Sequence, residues 1–102
     1  MVTRGTTPAL IFTTPYDADM VTSGYITFTL RGDIILDIPT DDENVIIEDN
    51  KIIVKLTQAQ TLLFAPKSKN MVQLRLVLAD GSVVASNIVT LSIGDILKDG
   101  EI

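Results

Sequence analysis

Apolar and polar positions alternate along most of this chain with the two-residue period of half-buried strands. The longest such stretch is residues 71–93, MVQLRLVLADGSVVASNIVTLSI. It reads as two strands joined by Asp80-Gly81, a dipeptide suited to a two-residue type I′ turn. With those two residues at the turn, Leu78 faces Val83, Leu76 faces Ala85, Leu74 faces Asn87 and Val72 faces Val89, giving one almost wholly apolar face. The other face is mixed: Ala79, Val77, Arg75 and Gln73 stand against Ser82, Val84, Ser86 and Ile88. A slip of one residue would turn Arg75 into the core, so the register is strongly specified. Asn87 on the apolar face is expected to be a partly buried amide bonded to a neighbouring strand or loop. Arg75 is expected to cover its own sheet with its aliphatic stem.

Upstream, residues 7–13 (TPALIFT) form a short strand, and Pro8, which cannot donate to a ladder, suits a sheet edge or a strand start. Residues 16–23 are a loop holding Asp17 and Asp19, whose spacing resembles a calcium loop without its Gly and distal Glu. Residues 24–30 alternate cleanly, with Ile26, Phe28 and Leu30 on one side. A three-residue loop at Arg31-Gly32-Asp33 then sets Leu30 opposite Ile34, Phe28 opposite Leu36 and Ile26 opposite Ile38, which makes this integrin-type tripeptide a hairpin turn. Asp41, Asp42 and Glu43 make an acidic loop tip. Residues 45–48 and 51–56 pair around Asp49-Asn50, with Glu48 against Lys51, Ile47 against Ile52 and Val45 against Val54.

The period changes at Thr57. Thr57-Gln58-Ala59-Gln60 fits a capping box, so one short helical turn is expected near residues 57–62, carrying the chain between sheets. Seven strands in about 90 residues, with regular turn signals, predict a single all-β domain over residues 1–102, a two-sheet antiparallel immunoglobulin-like β-sandwich. The long hairpin becomes the central pair of one sheet. Its core partners are Ile26, Phe28, Leu30, Ile52, Val54 and Leu56. Residues 94–102 are a tail in which Ile96, Leu97 and Ile102 either fold back or dock on a neighbour.

Composition narrows the function. The 46% apolar content supplies a core, and 102 residues suffice to bury one without staples. No run reaches the roughly 18 apolar residues of a membrane span, and no secretory signal is expected in MVTRGTTP. Thirteen acidic and eight basic residues give a net charge of −5 with the basic residues scattered, which disfavours nucleic acid as a partner. There is no His and no Cys, which removes the commonest general base, metal ligand and thiol nucleophile together. The carboxylates fall mostly in turns, and no glycine-rich phosphate loop occurs. The expectation is a non-enzyme with no cofactor, no metal site, and no membrane or nucleic-acid partner.

Three pieces carry a resemblance: RGTTP (residues 4–8), KIIVKLTQAQTLLF (51–64) and VQLRLVLADGSVVASNIVTLSIGDILKDGEI (72–102). Together they resemble small proteins encoded in phages and prophages of Gram-positive gut bacteria. The order strand, Leu-Thr-Gln-x-x-Thr, strand, Asp-Gly, strand is also similar to the N-terminal immunoglobulin-like domain of siphophage baseplate upper proteins, over roughly residues 45–93. Over its 102 residues the chain is shorter than those proteins, and it is expected to carry neither their helical stalk nor their second domain. The resemblance implies a virion structural or assembly protein, found in the virion or in the host cytoplasm during assembly. It would form homo-oligomers or bind other phage structural proteins. No functional residue carries over. The surfaces expected to act are Arg75, Val77, Val84 and Ile88 on the hairpin, Ile96, Leu97 and Ile102 in the tail, and the edge strand at residues 7–13. The alternative is a carbohydrate-binding or adhesin-type β-sandwich module. The absence of Trp, with only three Phe and two Tyr, weighs against its aromatic platform.

Overall fold

Ile26 and Phe28, two residues apart on one strand, are both fully buried, as a strand with one face on a core requires. The computed structural model, which describes residues 1–102, is an all-β sandwich of ten strands in three sheets. The strands are β1 (Val2–Thr3), β2 (Ala9–Thr13), β3 (Val21–Leu30), β4 (Asp33–Pro39), β5 (Val45–Glu48), β6 (Lys51–Lys55), β7 (Asn70–Leu78), β8 (Val83–Ala85), β9 (Val89–Leu91) and β10 (Ile93–Gly94). A short helix, α1 (Gln58–Thr61), lies between β6 and β7. One sheet has the order β4-β3-β7, with β8 and β9 both pairing the far side of β7, and the second has the order β2-β6-β5. A short parallel pair, β1 with β10, joins the two ends of the chain.

Ile26 and Phe28 from β3, Val72, Leu74 and Leu76 from β7, and Ile52 and Val54 from β6 form one core with Val2, Ile38, Leu56 and Phe64. Phe28 and Phe64 meet with ring centroids 5.6 Å apart at 56°, a tilted arrangement favourable for aromatic rings. The hairpin of β5 and β6 has the expected register, Glu48 opposite Lys51 and Val45 opposite Val54, with Asp49 in the left-handed conformation at φ 53°. The capping box at α1 is complete: the Gln60 N–H donates to the Thr57 hydroxyl and the Thr57 N–H to the Gln60 amide oxygen. Thr57→Ala is expected to lower stability by about 1 kcal/mol, read as a lower urea midpoint at unchanged slope.

The other two hairpins exchange their expected loops. At Arg31-Gly32 the turn has two residues, both with positive φ (53° and 89°), and Leu30 pairs with Asp33 rather than Ile34. A bulge at Ile35 then restores Phe28 opposite Leu36 and Ile26 opposite Ile38. Ile34 is thereby turned out of the core and is 66% exposed. At the long hairpin the loop has three residues, Ala79 to Gly81. The Gly81 N–H donates to the Leu78 carbonyl, the Leu78 N–H to the Ser82 carbonyl, and Gly81 takes φ 88°.

That extra loop residue shifts the register by one, so Leu76 faces Val84 and Val77 faces Val83. Val84 accordingly packs inward, while Val83 is 59% exposed, the reverse of the expected faces. The irregular segment Ser86–Ile88 splits the second strand into β8 and β9 and returns the register to Val72 opposite Val89. Asn87 in that segment is exposed and buries no amide. The fully buried amide is Asn70, whose Nδ2 donates to the carbonyls of Ala65 (2.7 Å) and Ser68 (2.9 Å). The long hairpin is also not a central pair: β7 is central, but its longer partner is β3, and β8 and β9 form the edge.

Candidate interaction surfaces

Two sheets packed face to face leave two outer faces, and the cross-strand pairs settle what stands side by side on each. On the larger sheet, one row runs Pro39, Tyr25, Arg75, Ala85 and another Ile34, Thr29, Met71, Thr90. Between them the Thr27 hydroxyl donates to Asp37 (2.7 Å), and the Gln73 amide donates to the Ser86 carbonyl (3.0 Å). Arg75 and Val77 lie on this face, and Ile88 borders a shallow groove with Thr27, Thr29 and Met71. Of the four hairpin positions expected to form an interface, Val84 is therefore on the wrong side of the sheet.

On the smaller sheet, Ile11 of β2 pairs with Ile53 of β6, and Ile53 pairs with Ile46 of β5. The result is a straight row of three isoleucines across all three strands on the solvent side, with Ile11 62% and Ile46 46% exposed. Lys51, Lys55 and Glu48 flank it. The Ile46–Ile53 pair follows from the local hairpin register. Placing Ile11 beside them requires knowing that β2 pairs β6 across some 40 residues, and no local signal announces that.

The tail folds back. Arg4, with a side chain only 18% exposed, donates from Nε to the Phe64 carbonyl (2.9 Å) and from an Nη to the Leu62 carbonyl (3.3 Å). The same guanidinium forms ion pairs with Asp95 and Asp99, each at 3.1 Å. Gln58 clamps the main chain of Ile102 with both amide atoms. Ile96 turns inward toward Gly5, whereas Leu97 and Ile102 are fully exposed. Arg4→Met is expected to cost about 2 kcal/mol and to speed amide exchange throughout residues 94–102. Arg4→Lys should rescue little, because an ammonium lacks the planar fork that reaches both carbonyls and both carboxylates.

The Asp95 carboxyl is held below its ordinary value of 3.8, first by the N–H of Ile96 and then by Arg4. A lowered value in the fold means that this contribution is present above the ordinary value and is lost as pH falls through the lowered one. Tail protection should therefore be constant at mildly acid pH and fall off only below 3.8.

At the turn of β3 and β4, the Arg31 guanidinium donates to the Ser68 hydroxyl (2.9 Å) and Asp33 belongs to β4, so the tripeptide is tied back against residues 68–69. No three His, Cys, Asp or Glu side chains converge where they could hold a metal, and no helix is long and apolar enough to cross a membrane. No family model matches the chain, and neither a curated protein nor a solved structure matches it.

Proposed function

We propose that this chain is a non-enzymatic structural or assembly protein of a phage or prophage, in the virion or associated with its tail or baseplate, that acts through protein–protein contacts. The observation that carries the contact part is the isoleucine row Ile11–Ile53–Ile46, which ends at the open edge of β2. Three β-branched side chains in register form a contiguous apolar strip on a solvent face, and covering that strip with another protein removes it from water favourably. The phage part rests on the resemblance of residues 4–8, 51–64 and 72–102 to small phage and prophage proteins. For the carbohydrate-binding alternative, Tyr25 is an exposed ring on an outer face, but its cross-strand neighbours are Pro39 and Arg75 rather than a second ring to share a sugar.

Mass spectrometry of purified particles from a lysogen carrying the gene tests the virion version. The chain is expected among the particle proteins at a stoichiometry comparable to other tail components. Its absence from intact particles would overturn the virion assignment.

A further inference from the structure

Unpaired sheet edges are templates for pairing with another chain, and folded proteins normally guard them. Three of the four edges of the two large sheets are guarded here. β4 carries Asp33, Asp37 and Pro39 and a bulge at Ile35; β5 is four residues long and ends in Glu48; β8 and β9 are three residues each, interrupted at Ser86–Ile88. β2 is different. Its sequence, Ala-Leu-Ile-Phe-Thr, is unbroken and uncharged, and it has no bulge.

The hydrogen-bond phase of β2 is set by its bonds to β6. The Leu56 N–H donates to the Pro8 carbonyl and the Thr14 N–H to the Asn50 carbonyl, so residues 8, 10, 12 and 14 point their main-chain groups at β6. The N–H and C=O groups of Ala9, Ile11 and Thr13 therefore point away from the sheet, where no strand receives them.

We propose that β2 is a self-pairing edge: two copies of this chain join antiparallel about a two-fold axis through Ile11, merging two three-stranded sheets into one of six strands. This rests on the contact reading above and names the partner. The pattern is self-complementary. With Ile11 facing Ile11 of the second copy, Ala9 faces Thr13 of that copy and Thr13 faces its Ala9, and each pair presents both a free donor and a free acceptor. The isoleucine row then continues across the seam as Ile46–Ile53–Ile11 meeting Ile11–Ile53–Ile46, with no polar side chain interposed.

The charges permit it. Lys51 and Lys55 sit one strand behind the seam beside Thr13 and Ala9. Each approaches a lysine of the other copy only across three strand spacings, roughly 14 Å, beyond the Debye length of about 8–10 Å. A seam of one short strand buries less than the roughly 1,200 Å² of a stable interface, so the dimer forms reversibly with concentration.

The test is the molar mass of the full chain by light scattering over a concentration series, with Ile11→Lys and Ile46→Lys as variants. Both positions are solvent-exposed, so both variants should fold, checked by circular dichroism. The native chain and Ile46→Lys should rise from 11.1 kDa toward twice that value. Ile11→Lys sets two like charges face to face on the axis and should raise the dissociation constant roughly tenfold or more. A native chain monomeric at every concentration, or an Ile11→Lys variant that associates as tightly as the native chain, would overturn the proposal. A monomer found in virions would remove the self-pairing and leave the structural-protein reading standing. A dimer missing from particles would do the reverse.

Discussion

Gly24→Ala is expected to destabilise the protein by about 3 kcal/mol, lowering the thermal midpoint by roughly 10–20 °C. Gly24 sits on the buried face of β3 directly opposite Leu76. A methyl group there would overlap the Arg75 carbonyl oxygen and come within 2.9 Å of the Leu76 side chain. The approach is this close because β3 bulges just before it: Val21 pairs with Leu78 and Ser23 with Val77, and the extra Thr22 anchors its hydroxyl on the Val77 carbonyl (2.9 Å). Main chain cannot rotate aside as a side chain does, so β3 and β7 would have to separate. Both are central strands, and the loss is a large fraction of the 5–15 kcal/mol typical of a domain. A midpoint within about 2 °C of the native value would show that the strands have slack.

Phe28→Ala should cost about 3–5 kcal/mol. Phe28 is fully buried, packs on Phe64, and lies between Leu36 on β4 and Val72 on β7. Its ring is where the larger sheet meets the segment leaving α1, so truncation opens a cavity bordered by both. Phe28→Leu keeps most of the volume and should cost under about 1.5 kcal/mol. Urea titration of the two variants checks this, and equal losses would mean that the fit of the ring against Phe64, rather than the volume it fills, sets the cost.

What was legible in the sequence was local. The β5–β6 register follows from Glu48, Lys51 and the alternating Ile and Val around them. The helix start follows from Thr57 and Gln60, and the buried faces of β3 and β7 follow from a two-residue period. Loop lengths were not legible, because one residue of loop can be absorbed by one residue of bulge. Arg31-Gly32 with the bulge at Ile35 gives the same deep pairs, Phe28 with Leu36 and Ile26 with Ile38, as a three-residue loop without one. At the long hairpin the same ambiguity hid the inward turn of Val84 and the exposure of Asn87.

The strand order was equally out of reach. β3 next to β7 and β2 next to β6 are pairings across tens of residues, fixed by packing rather than by any neighbouring residue. That is why the isoleucine row and the role of Arg4, which joins residues 62, 64, 95 and 99, emerged only in three dimensions.

The functional reading depends on β2 being an open edge, and residue-resolved amide exchange of the dilute chain tests that directly. Leu10 and Phe12 donate toward β6 and should be protected, while Ile11 and Thr13 between and beside them should exchange at nearly unstructured rates. Uniform protection of residues 10–13 at dilution would mean that the edge is already covered, and it would contradict the account.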